Sequence, residues 1–191
     1  MDFFASDDQF NQLYPPAIAA LASRHWTPIQ IAKEAAAFLA VGQAPKILDI
    51  GSGVGKFCMV GAYYHPTAQF SGVEQRGALT SIAQDLSKKM GLNNTQFFTG
   101  NFTEINISAY HHFYFYNAFY ENLIDNDPID QLIEQSPELF NLYNRKLYKA
   151  LKALPVGTRI ATFHSSEHEM PSSYQVVGVG SNEDLKFWIK I

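Results

Sequence analysis

A single cysteine, Cys58, occurs among the 191 residues. No intrachain disulfide framework is therefore available, and a reducing, cytoplasmic setting is expected. No apolar run approaches the roughly 20 residues that a membrane-spanning helix needs. The opening Met1-Asp2-Phe3-Phe4-Ala5-Ser6-Asp7-Asp8 has acids where a signal peptide has bases, so no secretory leader is expected. Lysine and arginine are absent between Met90 and Asn144, a span that holds Glu104, Glu121, Asp125, Asp127, Asp130, Glu134 and Glu138. That gap argues against a large nucleic-acid footprint, which requires clustered bases. The acidic span either attracts a cationic partner or forms a solvated face that aids solubility. Repeats, low-complexity segments and long linkers are also missing.

With 47% hydrophobic and 17% charged residues, the chain has the composition of a globular domain with a full core. Apolar spacing predicts a helix from about Pro16 to His25. Thr27-Pro28 reads as an N-cap and first helical position for a helix over about 29–41, stopped by Gly42. Strands are predicted at about 46–50, 69–74, 95–99, 111–116 and 158–163. Helices at about 54–64, 77–90 and 128–153 alternate with them, the last with a bend at Pro137. A short helix or loop is expected near 103–108. Tyr174–Val179 and Leu185–Ile191 read as a hairpin. The pattern predicts an α/β fold: a doubly wound, mostly parallel seven-stranded sheet with a C-terminal antiparallel hairpin and helices on both faces. Residues 1–44 are expected to form an N-terminal helical cap and residues 45–191 a Rossmann-like domain, together one structural unit.

The stretch that carries chemistry is Lys46 to Cys58, K-I-L-D-I-G-S-G-V-G-K-F-C. A P-loop would be one residue longer between its glycines and would have a hydroxyl where Phe57 stands. A dinucleotide loop needs a third glycine where Lys56 stands. The alternating glycines Gly51, Gly53 and Gly55 after Asp49 suit a cofactor with a zwitterionic amino-acid tail, which backbone can approach closely. Asp49 can help hold the ammonium of such a tail. Glu74 ends the next strand at the distance expected of a ribose-hydroxyl ligand, and the alternative is a surface glutamate ending a strand.

D-x-G-x-G-x-G resembles motif I of class I S-adenosylmethionine-dependent methyltransferases. Taken with G-V-E-Q, T-G-N-F and Y-N-A-F, it is similar to the cofactor half of the non-SET histone-lysine methyltransferases, over about residues 27–125. The resemblance implies S-adenosylmethionine as cofactor and methyl transfer to an amine nitrogen, a lysine or other cationic acceptor. It implies cofactor contacts from Thr27, Asp49, Gly51, Ser52, Gly53, Gly55, Glu74, Gln75, Asn101, Phe102 and Asn117. Asn117, Phe119 and Tyr120 would line the reacting edge. Asn101 stands for the family's aspartate, and its carbonyl oxygen can accept from an adenine amino group. Phe102 either packs on the adenine or is core. Ala118 and Glu121 depart from the pattern, and the family's basic DNA-contacting extension has no counterpart, so nucleosome modification is not implied. A small-molecule methyltransferase and a non-catalytic cofactor-binding module are the alternatives. The expected partners narrow to a basic protein or amine acceptor, with neither nucleic acid nor membrane expected.

By strand alternation Phe113 and Phe115 share one face, and Tyr114 and Tyr116 the other; the two tyrosines read as core. His164-Ser-Ser-Glu-His168-Glu169 has metal-ligand residue types, but the spacing is too common to assign a metal, and none is expected. His111 and His112 start a strand at the edge away from the cofactor and read as structural.

Overall fold

A computed structural model describes residues 3–123, 129–165 and 167–191. Its elements follow the order α1 (Asp7–Asn11), α2 (Pro16–Ala19), α3 (Ala22–His25), α4 (Ile29–Leu39), β1 (Lys46–Ile50), α5 (Lys56–Tyr64), β2 (Gln69–Glu74), α6 (Gly77–Lys89), β3 (Thr95–Thr99), β4 (His112–Tyr116), α7 (Pro137–Ala153), β5 (Arg159–Phe163), β6 (Tyr174–Val179) and β7 (Leu185–Lys190). The sheet order is β3-β2-β1-β4-β5-β7-β6. The first five strands run parallel, and β7 is antiparallel to both β5 and β6. This is the predicted doubly wound sheet with its terminal hairpin.

Chain direction across the sheet reverses between β1 and β4, which are hydrogen-bonded neighbours. Loops leaving the C-terminal ends of two such strands part to either side and leave a crevice. The crevice here lies between Gly51 and Asn117.

Two cores flank the sheet. One joins Ile47, Tyr114 and Phe70 to α4, α5, α6 and the N-terminal residues Phe4, Phe10, Tyr14 and Trp26. The other joins Leu48, Ile50, Phe113 and Phe115 to Leu147 and Leu151 of α7 and to Phe102, Phe119 and Trp188. The alternation along β4 is therefore as predicted. Tyr114 is fully buried and stacks on Phe57 with ring centroids 3.9 Å apart, a contact worth about 0.5–1.5 kcal/mol beyond its burial. His111 and His112 are structural: their Nδ1 atoms accept the backbone N–H groups of Lys46 and Arg159. Burial, with Arg159 and His111 nearby, pushes His112 down to about 4. Gly91, at φ +71°, closes α6. The N–H groups of Gly91 and Leu92 return to the carbonyls of Lys88 and Ser87, which satisfies the helix end.

The sequence reading needs correction in four places. Residues 16–25 form two short helices, because the chain tightens at Leu21, whose N–H donates to Ile18 O and whose carbonyl accepts from Arg24 N, both three residues apart. Thr27 does not cap α4; the carboxylate of Asp7, 22 residues upstream, accepts from Ile29 N at 3.0 Å. The helix ends at Leu39 because Ala40 leaves helical geometry, and Gly42 lies beyond it. The long helix begins at Pro137 instead of bending there. Ser136 accepts from Leu139 N, and proline is well suited to a first helical position. The predicted start of that helix at 128, and Asp125 and Asp127 of the acidic span, lie outside the described residues.

Candidate functional site

The glycine turn makes three different demands on its glycines, all of which have positive φ. A side chain at Gly51 would strike the Cβ of Ala118, so this glycine lets the loops after β1 and β4 touch. A side chain at Gly55 would run into the Phe97 ring and Ala83. Gly53 differs: nothing lies within 4 Å of its would-be Cβ, and it borders the crevice. Its backbone is thus bare toward the cavity, as a closely approaching ligand requires.

Glu74, only 7% exposed, is fixed at the end of β2. One carboxylate oxygen accepts from Gly53 N at 3.2 Å and the other from Arg76 N at 2.9 Å. Each oxygen keeps a further lone pair, so the group can accept from a vicinal diol. The glycine turn and the acid that ends the next strand are therefore locked together across 21 residues.

The crevice is a cavity of about 250 Å³. Among its walls are Gly51, Gly53, Glu74, Gln75, Phe102, Asn117, Phe119 and Tyr120, so eight of the expected site residues meet there. Asn117 stands at φ +49° at the end of β4, and its Oδ1 is buried with no hydrogen-bond partner among the described residues. A buried unpaired acceptor costs about 1–3 kcal/mol, and a left-handed asparagine adds backbone strain. Together they mark Asn117 as a group awaiting a donor. Phe119 and Phe102 lie 5.0 Å apart between ring centroids and give the cavity an apolar floor. Phe102 thus serves both as core and as cavity wall.

Three expected contacts line a second cavity instead. Thr27, Asp49 and Ser52 border a space of about 20 Å³, together with Trp26, Lys56 and Tyr114. His25, Gly51 and Tyr116 belong to both cavities. The Thr27 hydroxyl pairs with the Tyr114 hydroxyl at 2.9 Å. Asp49 is fully enclosed, with the Cys58 thiol donating to it at 3.7 Å. Burial, reinforced by Glu74 and only partly offset by Cys58, pushes Asp49 up to about 8. Gly55 and Asn101 border neither cavity. Asn101 Oδ1 accepts from Thr103 N, and its amide donates to Tyr143 at 2.9 Å and to Gln75. The expected adenine acceptor is thus already engaged as a turn cap.

Sequence reasoning missed Arg76. It is 5% exposed and sits among three carboxylates: Glu121 at 2.8 Å, Asp130 at 3.0 Å and Glu74 at 3.5 Å. It ties β2 to the loop after β4. A signal was available, since a span of seven acids without a base needs a cation from elsewhere if any of them is buried. Two acids of that span, Glu121 and Asp130, are neutralised internally by it. Burial raises the Glu121 carboxyl even so. His25 is held low by burial and by Arg76 and Arg24. His164 pairs with Asp184 at 3.1 Å. Among the described residues no group of three His, Cys, Asp or Glu is arranged to hold a metal. No described helix is long and apolar enough to cross a membrane.

No protein-family model matches the sequence, and no curated protein does. Solved structures do match the fold. An RNA methyltransferase from Salinibacter ruber, in complex with S-adenosyl-L-homocysteine, superposes with a TM-score of 0.61 at 20% identity, over 86% of this chain and 92% of that one. The mitomycin 7-O-methyltransferase MmcR gives 0.59 at 14% identity, over 96% and 56%. The [4+2]-cyclase SpnF gives 0.57 at 14% identity, over 85% and 62%. The chain spans less than two thirds of the length of the last two. The shared feature is the fold, and it carries more than one chemistry.

Proposed function

We propose that this protein is an S-adenosylmethionine-dependent methyltransferase acting on an amine nitrogen, a lysine or other cationic acceptor. The observation that carries the reading is the Gly53–Glu74 hydrogen bond at the mouth of the crevice. It joins a bare glycine backbone to a carboxylate with free lone pairs, which is what an adenosine ribose needs. The fold likeness to a methyltransferase complexed with S-adenosyl-L-homocysteine supports the same cofactor. In this reading residues 1–44 form a cap over the amino-acid end of the cofactor, and residues 45–191 form the catalytic domain.

The cofactor supplies an electrophilic methyl group for in-line displacement, so the protein's task is to position and desolvate. Glu74 and the glycine turn hold the nucleoside. Asn117 Oδ1, which has no partner among the described residues, takes an N–H of the incoming amine and orients its lone pair. Phe119 and Phe102 surround the nitrogen with apolar surface, which disfavours the ammonium form and helps the acceptor shed its proton. Tyr120 lines the same wall. The resemblance to the non-SET histone-lysine methyltransferases supports an amine acceptor.

A second reading, transfer to RNA or to a neutral small molecule, draws on the S. ruber enzyme's substrate and near-equal length. Incubating the protein with methyl-labelled cofactor and, separately, basic proteins, polyamines and RNA discriminates them. Label on basic proteins or polyamines supports the amine reading. Label on RNA alone overturns it, and cofactor binding without any turnover points to a binding module.

A further inference from the structure

The small cavity under the N-terminal segment is lined by an acid, Asp49, and a base, Lys56, both nearly inaccessible to solvent. Lys56 is the first residue of α5, immediately after the glycine turn. Its ammonium lies 5.2 Å from the Phe10 ring and 5.8 Å from the Trp26 ring and is paired with Asp7. The same Asp7 oxygen accepts from Ile29 N at the start of the 11-residue helix α4. Lysine ammonium and helix N-terminus therefore converge on one carboxylate oxygen, an arrangement that suits any carboxylate. The carboxylate there now belongs to a five-residue helix and is itself 45% exposed, so it can leave into water.

Building on the cofactor reading above, we infer that Lys56 is the binding group for the carboxylate of the cofactor's amino-acid tail, and that Asp7 fills this site as a stand-in in the free protein. With the ribose on Glu74, the tail passes Gly51, which borders both cavities, toward Asp49 and Lys56. The tail is a zwitterion, and the two residues supply a carboxyl oxygen of Asp49 as acceptor for its ammonium and the Lys56 ammonium for its carboxylate. Burial depresses the Lys56 ammonium, which Asp7 opposes, so a site emptied of Asp7 calls for a replacement anion. The cavity of about 20 Å³ admits no more than a water molecule, so tail entry and release of Asp7 occur together. Cofactor binding is thereby coupled to a shift of α1 away from Lys56.

Calorimetric titrations of the full chain with S-adenosylhomocysteine and with 5′-methylthioadenosine, which lacks the amino-acid tail, test this. Lys56→Met weakens S-adenosylhomocysteine by about 10–30-fold and leaves 5′-methylthioadenosine within about twofold, the loss expected for one desolvated charge pair. Asp7→Asn keeps an acceptor for Ile29 N but removes the competing charge, and it tightens S-adenosylhomocysteine by about threefold or more. Lys56→Arg stays close to wild type. Two results overturn the assignment while leaving the cofactor reading intact: equal weakening of both ligands by Lys56→Met, or weakening of S-adenosylhomocysteine by Asp7→Asn. If the wild-type protein binds neither ligand, the cofactor reading falls as well.

Discussion

The crevice and the small cavity that shares Gly51 with it, the proposed ribose end and tail end of the cofactor site, are built in different ways. At the ribose end, Gly53 and Glu74 belong to one β-α-β unit and are joined by a single hydrogen bond from the Gly53 N–H to the Glu74 carboxylate. At the tail end, Asp49, Lys56, Thr27 and Tyr114 come from the sheet, a helix and the N-terminal segment. They are assembled by contacts such as Thr27–Tyr114, 87 residues apart, and Tyr14–Val54, 40 apart. The ribose end is a fixed cradle, and the tail end is closed over itself by polar contacts that a ligand has to replace.

Substitutions at each end break or sharpen this comparison. Gly53→Arg fills the bare face of the cradle and is expected to weaken S-adenosylhomocysteine by about 100-fold or more, close to 3 kcal/mol. Circular dichroism should show the fold retained, since nothing crowds this position and the left-handed backbone costs a non-glycine residue only about 1–2 kcal/mol. Glu74→Gln keeps one acceptor but loses the charge, at a cost of about 10–50-fold in affinity, with 5′-methylthioadenosine affected equally. At the other end, Thr27→Val strands the hydroxyl of the fully buried Tyr114. Urea denaturation should show a loss of about 1–2 kcal/mol.

Asp49→Asn separates the ends by pH. The folded carboxyl titrates near 8, above its unfolded value of about 3.9, so the fold favours the protonated form. That stabilisation is present at low pH and is lost as pH rises through 8. The wild type should lose about 1 kcal/mol between pH 7 and pH 9, and Asp49→Asn should not. Urea midpoints at the two pH values measure it. The smallest effect is expected from Tyr14→Phe, which removes one bond from the cap to Val54 O and about 0.5–1.5 kcal/mol.

This contrast also explains what was legible in the sequence. The ribose end could be read because strand, turn, helix and strand follow one another, and local spacing places Gly53 opposite Glu74. The seven strands with their terminal hairpin and the split of Phe113 and Phe115 from Tyr114 and Tyr116 followed from the same local periodicity. The tail end could not be read, because its partners are distant in sequence. Thr27 has every local feature of an N-cap, yet its hydroxyl faces Tyr114, and Asp7 caps the helix from another element. Lys56 looked like an obstruction to one loop type, and nothing in the sequence connected it to Asp7. Asn101 was read by its position in a motif, whereas its oxygen is committed to Thr103 two residues on. Arg76 had a compositional signal but no local one, since Glu121 and Asp130 reach it from beyond β4.

The central claim is that the crevice between Gly51 and Asn117 binds an adenosine cofactor through Glu74. Calorimetric titration of the wild-type protein with S-adenosylhomocysteine tests it most directly. Saturable one-to-one binding that disappears in Gly53→Arg is the predicted result. The absence of saturable heat up to about 1 mM ligand, an affinity no stronger than about −4 kcal/mol, would contradict it.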